Sequence, residues 1–358
     1  MNTFPIRSDA VSLAVTETGG HLSDVIFTLA DGRSIRPMHT APWHDEALPV
    51  DTPPMIRMLR GDFFCAPFGA NDIMGGEAHG ASANGRWLRR DSDWDWVEAV
   101  LDETILGATL TKRVSLRPGE AMIYLRHTFT GGDGRIPVAH HAMLYARHPL
   151  KIAFAPRIFA GTAPGAIEVP PAGRSLLAYP HEITDLTAAA TAAGDTVDLT
   201  TYPGPHGYED VWMLVADAKP SFAWTAATCA DEGWVWFGLK NPRVLPSTII
   251  WMSNGGRNYA PWNGRHDRVI GLEEVCSYFH LGHAASTEVN PFSARGIPTT
   301  VTLRPDEPLS ISYAFGVAGV PPSFGRVVDI RAADGGVVII DDRGSEAFAA
   351  CDLSFVTG

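Results

Sequence analysis

Between residues 94 and 129, apolar and polar residues alternate almost without interruption. The apolar set is Val97, Ala99 and Leu101, then Leu106, Ala108 and Leu110, then Val114 and Leu116, then Ile123, Leu125 and Phe129. A period of two sends neighbouring side chains to opposite faces, the mark of a half-buried strand. Turn signals such as Pro118-Gly119 interrupt the pattern about every eight to twelve residues, as in an antiparallel meander. The same alternation occurs at Val11, Leu13 and Val15, and again at Val25, Phe27 and Leu29 after the turn Gly19-Gly20. No segment sustains a 3.6-residue period long enough for a crossover helix, which excludes a parallel α/β fold. A short helix is expected only at residues 183–193.

The fold class expected is therefore all-β, a large antiparallel β-sandwich. The 35 glycines and 27 prolines suit many short strands joined by turns. A hydrophobic content of 45% in 358 residues supplies a large core. The hairpin around Arg304-Pro305-Asp306 repeats the one around Arg117-Pro118-Gly119, and two such hairpins suit the two faces of one sandwich. Residues 1–325 read as the sandwich domain. Residues 326–358, with a turn at Asp334-Gly335-Gly336, read as a strand-rich appendage packed on it.

The net charge of −12 argues against a nucleic-acid or anionic-membrane partner. Cys65, Cys229, Cys276 and Cys351 are widely spaced without a zinc pattern, and read as reduced thiols. With no apolar leader or membrane-length run, the expectation is a cytoplasmic monomer or homodimer.

Residues 251–276 concentrate the chemistry. After the apolar run at 247–250 come Trp251, Asn254, Arg257, Trp262, Arg265 and the pair Glu273-Glu274. Aromatic faces cover the C–H face of a sugar ring, and Arg and Asn bond its hydroxyls. Trp251 and Trp262 can equally be core residues. Lys240, Arg243, Arg257, Arg265 and Arg268 stand against the single acid Asp267 here. That local inversion of charge raises the expectation of an anionic sugar, against the alternative that these arginines pair with surface acids. His127 reads as structural, His206-Gly207 as a turn, and Glu274 as a solvated or supporting carboxylate. On a strand, Glu273 and Glu274 must face opposite ways, as must His140 and His141.

Three landmarks stand in order: HGASANGRW from His79, AHHAML around His140-His141, and GLEEVC around Glu273. In order and separation the chain resembles the aldose 1-epimerase (galactose mutarotase-like) family, and more closely its bacterial hexose-phosphate-epimerase-like branches. That family's Arg before the His-Gly has no counterpart between residues 61 and 79; Arg57 and Arg60 are the nearest. The resemblance implies a β-sandwich isomerase that interconverts the α and β anomers of a free or anionic sugar. It implies Glu273 as base, His141 as acid and His79 as a bond to a substrate hydroxyl or to developing charge. Asn84, Trp87, His140, Trp251, Asn254, Arg257, Trp262 and Arg265 would then bind substrate. No metal, nucleotide or redox cofactor is required. Two alternatives stay open: a carbohydrate-binding protein without turnover, and a hydrolase or lyase using Glu273 with a second acid.

Overall fold

The computed structural model of the protein describes residues 2–358. Nine strands form one sheet, in the order Thr201–Tyr202, Leu150–Phe154, Ala223–Cys229, Trp234–Lys240, Leu309–Gly319, Met122–Gly131, Ala108–Ser115, Trp96–Leu101 and Trp87–Ser92. Six form the second, in the order Arg157–Thr162, Tyr208–Ala216, Ser247–Asn254, Val269–Cys276, Val138–Tyr145 and Phe64–Cys65. Neighbours pair antiparallel throughout both sheets. The chain is the large antiparallel β-sandwich that its alternation implies.

The main core lies between the sheets. Ala142, Leu144, Trp212, Leu214, Ile250, Met252, Ile270 and Leu272 meet Ile123, Leu125, Trp236, Phe315 and Val317 there. The outer face of the nine-stranded sheet is partly covered by a three-stranded sheet of Val327–Ala333, Gly336–Asp341 and Glu346–Ala350. Its Val327, Ile330, Val337 and Ile339 pack on Tyr124, Val235, Phe237 and Leu239. The outer face of the six-stranded sheet is roofed by irregular segments. Trp43, Met55, Leu59, Phe63, Phe68, Trp262 and Phe279 close over Ala139, Met143, Val211, Ile249, Trp251 and Val275.

That roof explains a contrast between strands. Ala108–Ser115, with one face towards water, alternates between buried and less buried positions. Ser247–Asn254 and Val269–Cys276 are buried at every position, and a strand covered on both faces loses its polar alternation. The roofed sheet carries His140, His141, Glu273 and Glu274.

Two expectations are corrected. The hairpins at 114–129 and 301–315 do not occupy opposite faces of the sandwich. Leu309–Gly319 pairs directly with Met122–Gly131 in the nine-stranded sheet, while Val301–Leu303 pairs with Gly134–Ile136. Residues 183–193 form no helix, and Ala189–Ala190 pairs with Thr196–Val197. Asp185 Oδ1 accepts bonds from the Thr187 N–H (2.8 Å) and hydroxyl (2.7 Å). This local side-chain turn competes with helix formation. No helix among the described residues is long and apolar enough to cross a membrane.

Candidate functional site

Val138–Tyr145 and Val269–Cys276 run antiparallel, with His141 opposite Glu273 and His140 opposite Glu274. Because side chains alternate across a strand, each His/Glu pair shares one face, and the two pairs face opposite ways. His141 and Glu273 leave on the roofed outer face, where His141 Nε2 lies 3.2 Å from Glu273 Oε1. Gly271, two residues before Glu273 on the same face, makes room for this carboxyl. A Cβ there would stand 2.7 Å from Glu273 Oε1 and 3.1 Å from the Trp251 Cβ. The glycine of the GLE string is thus a notch that Glu273 fills.

The His141 ring is held by aromatic neighbours. Phe63 stacks on it at 4.5 Å between ring centroids, and also stacks on His21 at 4.2 Å. His79 meets His141 edge-on at 5.5 Å. His79 has a left-handed backbone, φ 65°, just before Gly80–Asn84. Such a conformation is costly for a residue other than glycine and persists where the surroundings hold it. The Gly69 N–H donates to His79 Nδ1 at 3.4 Å, so the proton of the neutral ring sits on Nε2. Gly69 itself has φ 82°, and a Cβ there would stand 2.5 Å from the His280 carbonyl oxygen. The loops carrying His79 and His280 are therefore locked together.

These groups line a cavity of about 250 Å³. Its polar groups are His79, His141, Glu273, His280 and Arg257, and its walls include Met55, Ile56, Leu59, Phe68, Trp251 and Trp262. Among the described residues, Glu273 is the one carboxylate on the lining. Burial pushes the Glu273 carboxyl well above the usual carboxylate range, and the charge of Asp62 adds to this. Burial likewise holds His141 well below the usual imidazole value, with His79 and His21 adding. His79 and His280 are each lowered to about 4, again mainly by burial. All these shifts favour uncharged groups: a carboxylic acid facing neutral imidazoles.

Arg257 is the exception. Its Nε lies 2.7 Å from Glu168 Oε1 and 3.5 Å from Glu209 Oε1, and its guanidinium sits 4.4 Å from the Trp262 ring centroid. Glu209 also accepts from Trp251 Nε1 (2.6 Å) and the Ser253 hydroxyl (2.9 Å), and burial raises it to about 7. A buried cation, two buried acids and an indole thus brace one wall. The other cations of that basic stretch are also engaged. Arg265 forms a two-pronged pair with Glu46 at 2.5 and 2.8 Å. Arg268 lies 3.8 Å from Asp267, Arg243 donates to the Lys219 carbonyl, and Lys240 pairs with Glu274 inside the sandwich. Arg257, Arg265 and Lys240 are thus paired with acids from other segments, Arg268 with its neighbour Asp267, and Arg243 with a backbone carbonyl.

Of the residues singled out in the sequence, His79, His141, Glu273, Trp251, Trp262 and Arg257 come together at the cavity. Five do not. His140 lies between the sheets, its Nδ1 3.1 Å from Asp62 Oδ2 and its ring 4.7 Å from Tyr313. Asn84 closes its helix and staples the roof, accepting from the Met55 N–H (3.0 Å) and donating to the Ala78 and Gly80 carbonyls (2.9 Å each). Trp87 is fully buried and donates to the Ser82 carbonyl at 2.9 Å. Asn254 ties the Gly204 and Pro205 carbonyls to the Arg268 N–H. Arg265 stands outside the cavity beside Glu46. Glu274 is no solvated carboxylate: Thr225, Thr248 and Lys240 enclose it completely. Arg57 and Arg60 bond backbone carbonyls of their own segment, and neither lines the cavity. His280 was not foreseen, since it lies in a loop with no periodic signal. Among the described residues, no three His, Cys, Asp or Glu side chains group to hold a metal ion.

With this geometry in view, the chain can be compared with known proteins. No protein-family model matches it, and no curated protein matches its sequence. Solved structures do match. A candidate aldose 1-epimerase from Escherichia coli K12 superposes with a TM-score of 0.60 at 12% identity, covering 89% of this chain and 99% of that one. A galactose mutarotase related enzyme from Lactobacillus acidophilus gives 0.55 at 9% identity, covering 89% and 98%. A candidate aldose 1-epimerase from Klebsiella pneumoniae gives 0.55 at 14% identity, covering 86% and 76%. The chain has the galactose mutarotase-like fold. At such identities the likeness is one of architecture, and function must be argued from the site.

Proposed function

We propose that the protein is an aldose 1-epimerase, an isomerase that interconverts the α and β anomers of a neutral aldose. The observation that carries this reading is the His141–Glu273 contact of 3.2 Å in an aromatic-walled cavity. The chemistry needs one proton donor and one proton acceptor on the same sugar, and neither has to begin charged. With Glu273 protonated and His141 neutral, Glu273 gives its proton to the ring oxygen while His141 takes the proton of the anomeric hydroxyl. The C1–O5 bond breaks and the open-chain aldehyde forms. The enzyme is left as a carboxylate beside an imidazolium, two charges that stabilise each other at short range. After rotation about C1–C2, O5 attacks the other face of C1. Glu273 recovers the O5 proton, His141 returns its proton to O1, and the starting enzyme is restored. This reverses the donor and acceptor roles that the family resemblance implies. Burial is the reason, since it disfavours an imidazolium and a carboxylate before substrate arrives.

His79, with its proton on Nε2, is suited to donate to a sugar hydroxyl. Trp251 and Trp262 offer their faces to the ring C–H groups. The neutral-sugar reading rests on the arginines, each of which already has an acid or a carbonyl as partner. A hydrolase or lyase would need a second carboxylate beside the first, and Glu209 is instead occupied by Trp251, Ser253 and Arg257. Carbohydrate metabolism in the cytoplasm is the setting this reading proposes.

The test is exchange NMR between the anomers of glucose, galactose and related aldoses. The expected outcome is an exchange rate that rises in proportion to protein concentration for at least one sugar. Binding with exchange no faster than in buffer would instead support a carbohydrate-binding protein without turnover.

A further inference from the structure

An imidazole that moves a proton is usually oriented by a hydrogen bond at its other ring nitrogen. His141 lacks that bond. Its Nε2 faces Glu273 at 3.2 Å, and its buried Nδ1 has no hydrogen-bond partner among the described residues. Glu273 cannot serve as the orienting group, because it is itself one of the two proton carriers. Yet the ring must be aimed, since proton transfer depends on the position and angle of the reacting nitrogen. The ring instead ends a column of three. Phe63 stacks on His141 at 4.5 Å with 18° between the planes, and His21 stacks on Phe63 at 4.2 Å with 14°. Two rings so near and so parallel to Phe63 must lie on its opposite faces.

The backbone sets this column. The His141 N–H donates to the Phe63 carbonyl at 2.9 Å, and the Leu22 N–H donates to the Asp62 carbonyl at 2.9 Å. The extended segment 61–65 therefore lies between the strand of His141 and the turn that carries His21. Gly61 permits the close approach, for a Cβ there would stand 2.0 Å from the Leu22 carbonyl oxygen. Alternation sends Phe63 to the roofed face and its two neighbours to the space between the sheets. There Asp62 meets His140 Nδ1 at 3.1 Å, and Phe64 stacks on His127 at 3.9 Å. Pinned from both faces, the segment presents Phe63 as a fixed surface. Neither Phe63 nor His21 lines the cavity, so neither is placed to touch a sugar.

We propose that Phe63, backed by His21, is a positioning residue for anomer exchange: its ring fixes the plane of His141 by stacking, in place of the hydrogen bond that the imidazole lacks. The proposal rests on the epimerase reading for the reaction it serves, but not for the geometry it describes.

Phe63→Leu removes the stacked ring and keeps an apolar side chain. In polarimetric exchange, kcat should fall about 10–100-fold, as misplacing a reacting group does, while KM stays within about twofold. His21→Leu, which removes only the far ring of the column, should lower kcat by less. NMR gives a second readout that needs no sugar. The carbon-bound imidazole protons of His141 should lie upfield of the ordinary imidazole range in the wild-type protein, under the ring current of Phe63, and should move downfield in Phe63→Leu. A folded Phe63→Leu protein with wild-type kcat, or with a loss confined to KM, overturns the proposal. So do wild-type His141 protons within the ordinary range, a result that stands even where Phe63→Leu fails to fold. If the wild-type protein accelerates exchange of no sugar, the epimerase reading falls, and the proton shifts still decide whether Phe63 holds the His141 ring.

Discussion

Two His/Glu pairs lie on the same two strands, one residue apart, and face opposite ways. His141 and Glu273 open onto a cavity, touch each other at 3.2 Å and have few other polar partners. His140 and Glu274 lie between the sheets, where each is held by something else. Glu274 receives the Thr225 hydroxyl at 2.6 Å, the Thr248 hydroxyl at 2.7 Å and the Lys240 ammonium. His140 is held by Asp62 at 3.1 Å. On the proposed reading, the same residue types serve chemistry on one face and cohesion on the other. What separates them is what each side chain faces: His141 and Glu273 line a cavity, whereas His140 and Glu274 are fully enclosed between the sheets, His140 with its Nε2 unpartnered. A group that faces a cavity can act on a ligand, and one sealed in the core cannot.

The largest expected effect is on the open pair. Glu273→Gln keeps the shape of the side chain but can neither give nor accept a proton. Anomer exchange, followed by polarimetry, should fall by about 10²–10⁴-fold, the usual contribution of one acid–base group. Its unfolding midpoint should not drop, because a buried acid is replaced by a neutral amide.

The enclosed pair should behave in the opposite way. Lys240→Met leaves Glu274 buried without its cation, and breaking such a pair typically costs about 3–5 kcal/mol. Urea unfolding should show that loss, while anomer exchange per folded molecule stays at the wild-type rate. A loss of turnover in a fully folded Lys240→Met protein would erase the contrast between the two faces.

Acid should act on the histidines around the cavity. Burial lowers His79 and His280 from the ordinary imidazole value of 6.5 to about 4, and His21 and His39 to about 3. Between those values the unfolded chain binds more protons than the native one, so stability falls as pH drops below 6.5. Glu209, raised to about 7, works the other way between 7 and the ordinary carboxylate value of 4.5, as does Glu273. The depressed histidines outnumber these raised acids. Each fully depressed histidine contributes about 1.4 kcal/mol per pH unit. The melting temperature should therefore decline steadily from pH 6.5 to 4, and a flat profile would contradict neutral, buried imidazoles.

The smallest effect expected is none. With Arg257 and Arg265 already paired, glucose 6-phosphate should bind no more tightly than glucose, and salt should leave glucose affinity unchanged. A clear preference for the phosphate, lost at high salt, would revive an anionic substrate.

How much of this was legible in the sequence follows from the same contrast. Period-two alternation is local, so the strands, the antiparallel class and the opposite facing of His140 and His141 could all be read directly. Which face opens onto a cavity is decided by what covers it. The roof comes from Trp43, Met55, Leu59 and Phe68, in a proline-rich stretch with no periodicity, and it closes through contacts across more than two hundred residues with Trp262 and Phe279. Asn84, Trp87 and Asn254 were misplaced for a related reason. A polar or aromatic residue near a motif has the right chemistry for a sugar, but its hydrogen bonds go to the backbone of loops that must themselves be held. The carboxylates that neutralise Arg257 and Arg265 come from Glu168, Glu209 and Glu46, far away in sequence, so the basic stretch looked unpaired until the chain was folded.

The distinction between the two faces can be observed directly in the imidazole resonances of the wild-type protein, assigned with single His→Phe variants. On titration with a sugar whose anomers the protein exchanges, the signals of His79, His141 and His280 should shift together and saturate, while those of His127 and His140 stay in place. Saturable shifts of His140 and His127 with His141 unmoved would place the ligand between the sheets and contradict the account.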